Sequence, residues 1–178
     1  AMSGATPAIR LLHLEDSEPD HVLAMAYLTR SGIDADARRI ETRAEFETAL
    51  TEPWDIVLSD YHLPGFGGLE ALQMLRASGR LWPFILVSGE IGEDTAVEAM
   101  RNGASDYLLK NNLARLAPAI RNAIQATRDH QARVLADSEL AASRQRLAEL
   151  AQHLQTSIEM ERAAIAREIH DDVGGALT

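Results

Sequence analysis

The sequence has no cysteine. This excludes a disulfide framework and thiol chemistry, and it fits a reducing cytoplasm. Aromatic residues are only 4% of the 178 positions, so a core must be built mainly from Leu, Ile, Val and Ala. Positive charge is scarce: the formal net charge is −10, which leaves no electrostatic footprint for nucleic acid or an anionic membrane. No apolar run approaches the ~20 residues of a membrane span. The C-terminal stretch lacks helix breakers: from Leu113 to Thr178 the only proline is Pro118 and the first glycine is Gly174. What is present is 46% apolar residues, enough to bury one core and leave an appendage. Ala1-Met2-Ser3-Gly4 reads as a cloning remnant or leader outside the fold. Thr178 falls inside a helical pattern with no stop signal, so the sequence reads as a piece of a longer protein.

The first two-thirds alternates strands and helices. Ile9 to Leu14 is an apolar run broken only by Arg10 and His13, and it ends in Glu15-Asp16-Ser17-Glu18. Pro19 suits a helix first turn, and Val22, Leu23, Met25, Ala26 and Leu28 are the expected buried face, with Gly32 as the stop. Ala35 to Ile40 is a weak strand. Thr42-Arg43-Ala44-Glu45 is a capping box for a helix to about Leu50. Ile56-Val57-Leu58-Ser59-Asp60 is a buried strand running into Tyr61-His62-Leu63-Pro64-Gly65, which is expected to end it. A helix from Gly67-Gly68 to Gly79, a strand Phe84–Val87, a short helix Thr95 to Asn102 and a strand Tyr107–Leu109 complete the series. Five β-α repeats predict a doubly wound, flavodoxin-like α/β fold with a parallel sheet of order 2-1-3-4-5.

In such a sheet, ligands bind at the C-terminal mouths of the strands. Asp16, Asp60, Ser88 and Lys110 each end a different strand, and Glu15 stands beside Asp16. Three carboxylates near one point require a cation, and all-oxygen ligation suits Mg²⁺ or Mn²⁺. Asp60 is placed to attack phosphorus as a carboxylate nucleophile. Lys110, with the Ser88 hydroxyl and the Gly89 N–H, is placed to neutralise or donate to a transferring phosphoryl group.

The residues Glu15-Asp16, Asp60 with Leu63-Pro64-Gly65, Ser88-Gly89 and Tyr107-Leu108-Leu109-Lys110 resemble the receiver domain of two-component response regulators, over residues 8–125. The resemblance implies that Asp60 is the phosphoacceptor. It implies that Glu15, Asp16, Asp60 and the backbone carbonyl of His62 hold Mg²⁺. Ser88 and Lys110 would bind the phosphoryl group, and Tyr107 would turn inward with the Ser88 hydroxyl on activation. The family's usual proline after the lysine is replaced by Asn111.

Leu113 to Thr178 is expected to form one long helix, because Ala, Arg, Glu, Leu and Gln dominate and Pro118 suits its first turn, with residues 126–178 as a coiled-coil linker and dimerising helix. Leu140, Leu147 and Leu154 step by seven with Leu150 between them. The step then becomes four through Ile158, and Ile165, Ile169, Val173 and Leu177 follow, a stutter in a coiled-coil pattern. No helix of that length holds alone, so a homodimer is expected. His170 borders the stripe of Ile165, Ile169 and Val173, with Asp171 beside it as an orienting base. The segment Glu161–Gly174 resembles the phosphoacceptor box of histidine kinases that partner LuxR-type regulators. That implies His170 takes phosphate from ATP, with Asp171 as the base, in a dimerisation domain cut short before its ATP-binding partner. Gly175 replaces the glutamine found in phosphatase-competent members.

The expectation is a cytoplasmic phosphorelay protein whose receiver, phosphorylated by an upstream kinase or phosphotransfer protein, regulates an attached histidine kinase that signals to a downstream regulator. Whether the chain is an enzyme is left open, because ATP chemistry belongs to the full-length kinase. The alternative is a non-enzymatic, phospho-switched adaptor that dimerises through its C-terminal helix. A DNA-binding factor is disfavoured, because no helix-turn-helix follows the receiver.

Overall fold

The computed structural model describes residues 7–90 and 92–176. Leu177, Thr178 and the leader Ala1-Met2-Ser3-Gly4 lie outside them. The elements are β1 (Ile9–Leu14), α1 (Glu18–Arg30), β2 (Ala35–Ile40), α2 (Arg43–Ala49), β3 (Ile56–Asp60), β4 (His62–Leu63), β5 (Phe66–Gly67), α3 (Gly68–Ala77), β6 (Phe84–Ser88), α4 (Glu93–Arg101), β7 (Asp106–Leu109), a 3-10 turn (Leu113–Arg115) and α5 (Leu116–Ala176). The main sheet is parallel, in the order β2-β1-β3-β6-β7. With the hairpin strands set aside, this is the expected 2-1-3-4-5 topology. Its switch point lies between β1, which pairs with both β2 and β3, and β3.

Successive residues of a strand point to opposite faces. Leu11, Ile56, Leu58, Ile85 and Val87 therefore line one face, under Leu28 of α1 and Leu116 and Ile120 of α5. Leu12, Val57, Phe84 and Leu86 line the other, against Phe46 of α2 and Leu72 and Leu75 of α3. Covering both faces is what makes β3 and β6 continuously buried.

The helices start and stop where their ends find partners. Ser17 caps α1 by accepting from the Asp20 N–H at 3.3 Å. Thr42 caps α2 by accepting from the Glu45 N–H at 3.2 Å, while the Glu45 carboxylate reaches back to the Thr42 hydroxyl at 3.0 Å. Gly32, Gly65, Gly79 and Gly103 take positive φ in the turns.

Three expectations need correction. The buried positions of α1 are Ala24 and Leu28, with His21, Met25 and Tyr27 half-buried, whereas Val22, Leu23 and Ala26 are exposed. The helix is rotated by about one residue from the simple apolar count, and its inner side brings His21 to 2.7 Å from His13 on β1. The strand does end at Asp60, but the stretch after it is not plain loop: it folds into the two-residue antiparallel pair β4–β5, in which His62 opposes Gly67 and Leu63 opposes Phe66. α4 starts at Glu93, two residues before the expected Thr95.

Two compact units divide between Asp129 and His130. The second, residues 130–178, is described only as the C-terminal part of α5. From His130 to Gly174 it buries no residue; Leu140, Leu147, Leu154, Ile158, Ile165 and Ile169 all remain about half exposed or more.

Candidate functional site

Glu15 and Asp16 follow β1 directly, and β3 ends in Asp60. One carboxylate oxygen from each lies within 4.8 Å of the other two. Glu15 and Asp60 are buried, at 3% and 6% exposure, whereas Asp16 is exposed. An octahedral Mg²⁺ at about 2.1 Å from each oxygen spans about 4.2 Å between opposite ligands. The three oxygens are therefore within a small rotamer adjustment of a shared ion. The donor chemistry, all oxygen and strongly acidic, fits Mg²⁺ or Mn²⁺.

Lys110, one residue past β7, brings its ammonium to 2.8 Å from Asp60 Oδ2, 3.0 Å from Asp20 Oδ2 and 3.4 Å from Glu15 Oε2. It is the only lysine in the sequence; all other basic side chains except histidine are arginine. Burial works against this ammonium, but the hydrogen bonds to Asp60 and Asp20 outweigh it and hold Lys110 above the ordinary lysine range. Burial pushes the Glu15 carboxyl up to about 7 and nearby Asp60 adds to the rise, against the Ser17 N–H and Lys110, which pull it down. Glu15 is therefore only partly ionised at neutral pH.

The opposite wall is Ser88 and Tyr107. The Ser88 hydroxyl donates to the Glu90 carbonyl at 3.2 Å, and the Tyr107 hydroxyl donates to the same carbonyl at 3.1 Å. Ser88 therefore faces the loop after β6, not Asp60. Gly89 continues that loop as a bend. Asn111 is accommodated by a turn in which the Asn112 N–H donates to the Leu109 carbonyl at 3.0 Å, and Lys110 stays tied to the sheet by donating its N–H to the Ser88 carbonyl at 2.8 Å. His62 is exposed, with its N–H 3.4 Å from Asp60 Oδ1.

Sequence reasoning thus foresaw the meeting of Glu15, Asp16, Asp60 and Lys110. It missed three contributors. Asp20 reaches Lys110 from the first turn of α1; its signal was an acid just inside a helix that opens at the strand mouth. Gly68 begins α3 directly beneath the site: a Cβ there would clash with Leu86 Cδ1 and lie 2.6 Å from the Asp60 carbonyl oxygen. Only glycine lets that helix start so close to the acid. His13 and His21 form a third feature, with their Nδ1 atoms 2.7 Å apart. Burial, with His21, Lys110 and Arg39 adding to it, lowers His13 to about 3, so both imidazoles are neutral at physiological pH.

His170 and Asp171 lie on α5 within the second unit. Both side chains are almost fully exposed, and His170 Nδ1 stands 3.9 Å from Asp171 Oδ1.

Residues 14–121 match the response regulator receiver domain family. The luminescence regulatory protein LuxO of Vibrio campbellii is 35% identical over 114 residues, covering 63% of this chain and 25% of the LuxO chain. The response regulator protein PilR of Pseudomonas aeruginosa is 30% identical over 112 residues, covering 62% of this chain and 25% of its own. The sequence therefore spans about a quarter of those relatives. Among solved structures, the signal receiver domain of a LuxO repressor protein from Vibrio parahaemolyticus superposes with a TM-score of 0.63 at 22% identity, covering 70% of this chain and 96% of that one. The receiver domain of sensor histidine kinase PA1611 from Pseudomonas aeruginosa, solved with a magnesium ion in its active-site cleft, gives 0.57 at 23% identity, covering 67% and 99%. The chain belongs to the response regulator receiver family, and it carries a long C-terminal helix after the receiver. No helix among the described residues is long and apolar enough to cross a membrane.

Proposed function

We propose that the protein is a phospho-switched signalling adaptor: Asp60 accepts a phosphoryl group, and the receiver's state is passed to a C-terminal helix that pairs two copies of the chain. The observation that carries the reading is the Lys110 ammonium at 2.8 Å from Asp60 Oδ2, with Glu15 and Asp16 completing an acidic group around the same point. In the proposed step an Asp60 carboxylate oxygen bonds to phosphorus as the bond to the donor's leaving group breaks. With acetyl phosphate the leaving group is acetate.

Glu15, Asp16, Asp60 and the His62 carbonyl would hold Mg²⁺, which when bound neutralises charge on the transferring oxygens. Lys110 donates to one phosphoryl oxygen. Ser88 turns from the Glu90 carbonyl to donate to another, and the Gly89 N–H assists. Tyr107 donates to the same carbonyl as Ser88 and would turn inward together with the Ser88 hydroxyl. The upstream donor is a histidine kinase or phosphotransfer protein, and the setting is the cytoplasm.

The dimer follows from the exposed stripe of Leu140, Leu147, Leu150, Leu154, Ile158, Ile165, Ile169 and Val173. A single exposed helix gains too little from its own hydrogen bonds to hold, and an identical stripe is the simplest cover. Acetyl-phosphate labelling with Mg²⁺, followed by the mass of the assembly in solution, tests both halves. The reading expects label on Asp60 and a dimer; an unlabelled Asp60 or a monomer counts against the corresponding half.

A second reading is favoured by one observation, the solvent-facing His170 with Asp171 at 3.9 Å. Here residues 126–178 begin a kinase dimerisation domain, His170 accepts phosphate from ATP bound elsewhere in a longer protein, and the receiver regulates that kinase, which passes phosphate to a downstream regulator. Phosphorylation of His170 when this chain is mixed with the ATP-binding part of such a kinase would support it. Equal labelling of His170→Gln would remove it.

A further inference from the structure

We propose that Asp20 is a positioning residue that controls how available Lys110 is to an incoming phosphoryl group. The inference rests on the Asp60 phosphoacceptor reading and assigns that site a regulator outside its acidic trio. The Lys110 ammonium has three N–H donors and three carboxylates around it: Asp60 Oδ2 at 2.8 Å, Asp20 Oδ2 at 3.0 Å and Glu15 Oε2 at 3.4 Å. Two of those donors make hydrogen bonds, to Asp60 and Asp20, and Glu15 lies at ion-pair distance, so an incoming phosphoryl oxygen competes with these carboxylates for the ammonium.

The three acceptors are not equivalent. Glu15 and Asp60 belong to the group within 4.8 Å that fits a cation, so a bound ion draws them away from the lysine. Asp20 is outside that group, and among the described residues Lys110 is the one side chain its carboxylate pairs with. It is mounted on the first turn of α1, whose position is set by the Ser17 cap. Its side chain is 46% exposed, so it can swing into solvent without leaving a buried charge behind. Asp20 is therefore the acceptor that both opposes the phosphoryl group and can be released.

The side chain acts through Lys110 and need not touch the phosphoryl group. Asp20→Asn keeps the shape and removes the charge. Asp20→Glu keeps the charge on a stem one methylene longer.

Because Lys110 is the only lysine, protein labelled with nitrogen-15 in lysine alone gives a single side-chain ammonium signal by NMR. In metal-free protein, hydrogen exchange from that ammonium is expected to be slow in the wild type and in Asp20→Glu, and several-fold faster in Asp20→Asn. Calorimetry of the full chain with Mg²⁺ and beryllofluoride is expected to show roughly fivefold tighter binding for Asp20→Asn, the size of one charge at close range in a well-solvated site. Asp20→Glu is expected to return to the wild-type value.

In a Lys110→Gln background the gain is expected to vanish, as a shared network requires. Equal exchange rates in wild type and Asp20→Asn overturn the proposal, because the ion pair is then absent in solution. So does unchanged or weaker beryllofluoride binding by Asp20→Asn, or a gain that survives Lys110→Gln, which would be general repulsion. A wild type that binds no beryllofluoride at all brings down the phosphoacceptor reading and this proposal together. The NMR result, taken without metal or anion, tells that failure apart from a missing ion pair.

Discussion

The receiver and the second unit solve the same problem in opposite ways. In residues 7–129, apolar side chains close on each other across a sheet: Leu11, Phe46, Leu58, Leu72 and Leu86 are all at 1% exposure or less. Between Arg128 and Gly174, side chains of the same chemistry are left in solvent, among them Leu147 at 63% and Ile169 at 59%. One region is stabilised by its own chain. The other presents an apolar stripe that is left exposed along its helix. Conformational stability and self-association should therefore respond to different residues.

The largest separation is expected from charge placed in the stripe. Leu147→Asp combined with Ile158→Asp should abolish dimerisation in sedimentation experiments and leave the receiver's urea midpoint unchanged. A dimer that persists would show that the stripe is not the contact. Next in size is Leu58→Ala, at the centre of β3, which should cost about 2–5 kcal/mol of receiver stability through lost burial and a cavity. Leu154→Ala on α5 should leave that stability alone and weaken only the dimer.

Gly68→Ala comes third. Its methyl would sit 2.6 Å from the Asp60 carbonyl oxygen, which is backbone and cannot swing aside. A loss of about 1–3 kcal/mol is expected from overpacking. Mg²⁺ affinity should fall with it, because α3 is pushed off the strand that carries Asp60. Denaturation and calorimetry on one sample check both.

The smallest effect is a pH profile confined to the receiver, read in chelator. Glu15 titrates near 7 when folded and at 4.5 when unfolded, so the folded state binds the extra proton and stability rises as pH falls from about 7. His13 does the reverse, with 6.5 unfolded and about 3 folded, so stability is lost as pH falls below 6.5. The two nearly cancel between 6.5 and 4.5. Below 4.5 the His13 loss stands unopposed, on the order of 1.4 kcal/mol per pH unit. Glu15→Gln should erase the rise between pH 8 and 6.5. A rise that persists in that variant would place it on another group.

Much of this division was legible in the residues. Continuous apolar runs such as Ile56–Leu58 announced strands buried on both faces, and their ends put Asp16, Asp60, Ser88 and Lys110 on one edge. The stretch after Arg128 was recognisable by its lack of breakers and its stepped leucines. What could not be read was set by packing across elements. The inner face of α1 was misjudged at Val22, Leu23 and Ala26, because an apolar count cannot show that His21 of α1 meets His13 of β1. The β4–β5 pair escaped notice because two residues per strand carry no periodicity. Asp20 stayed hidden because its partner is 90 positions away, and the need for Gly68 appears only when α3 is set against Asp60.

The account turns on Asp60 as the phosphoacceptor. Full-length protein treated with acetyl phosphate and Mg²⁺ and examined by intact mass and peptide mapping tests this directly. It should show one base-labile phosphoryl group, on Asp60, absent from Asp60→Ala and absent when the metal is chelated. Equal labelling of wild type and Asp60→Ala, or no label on Asp60 at saturating donor, would contradict it.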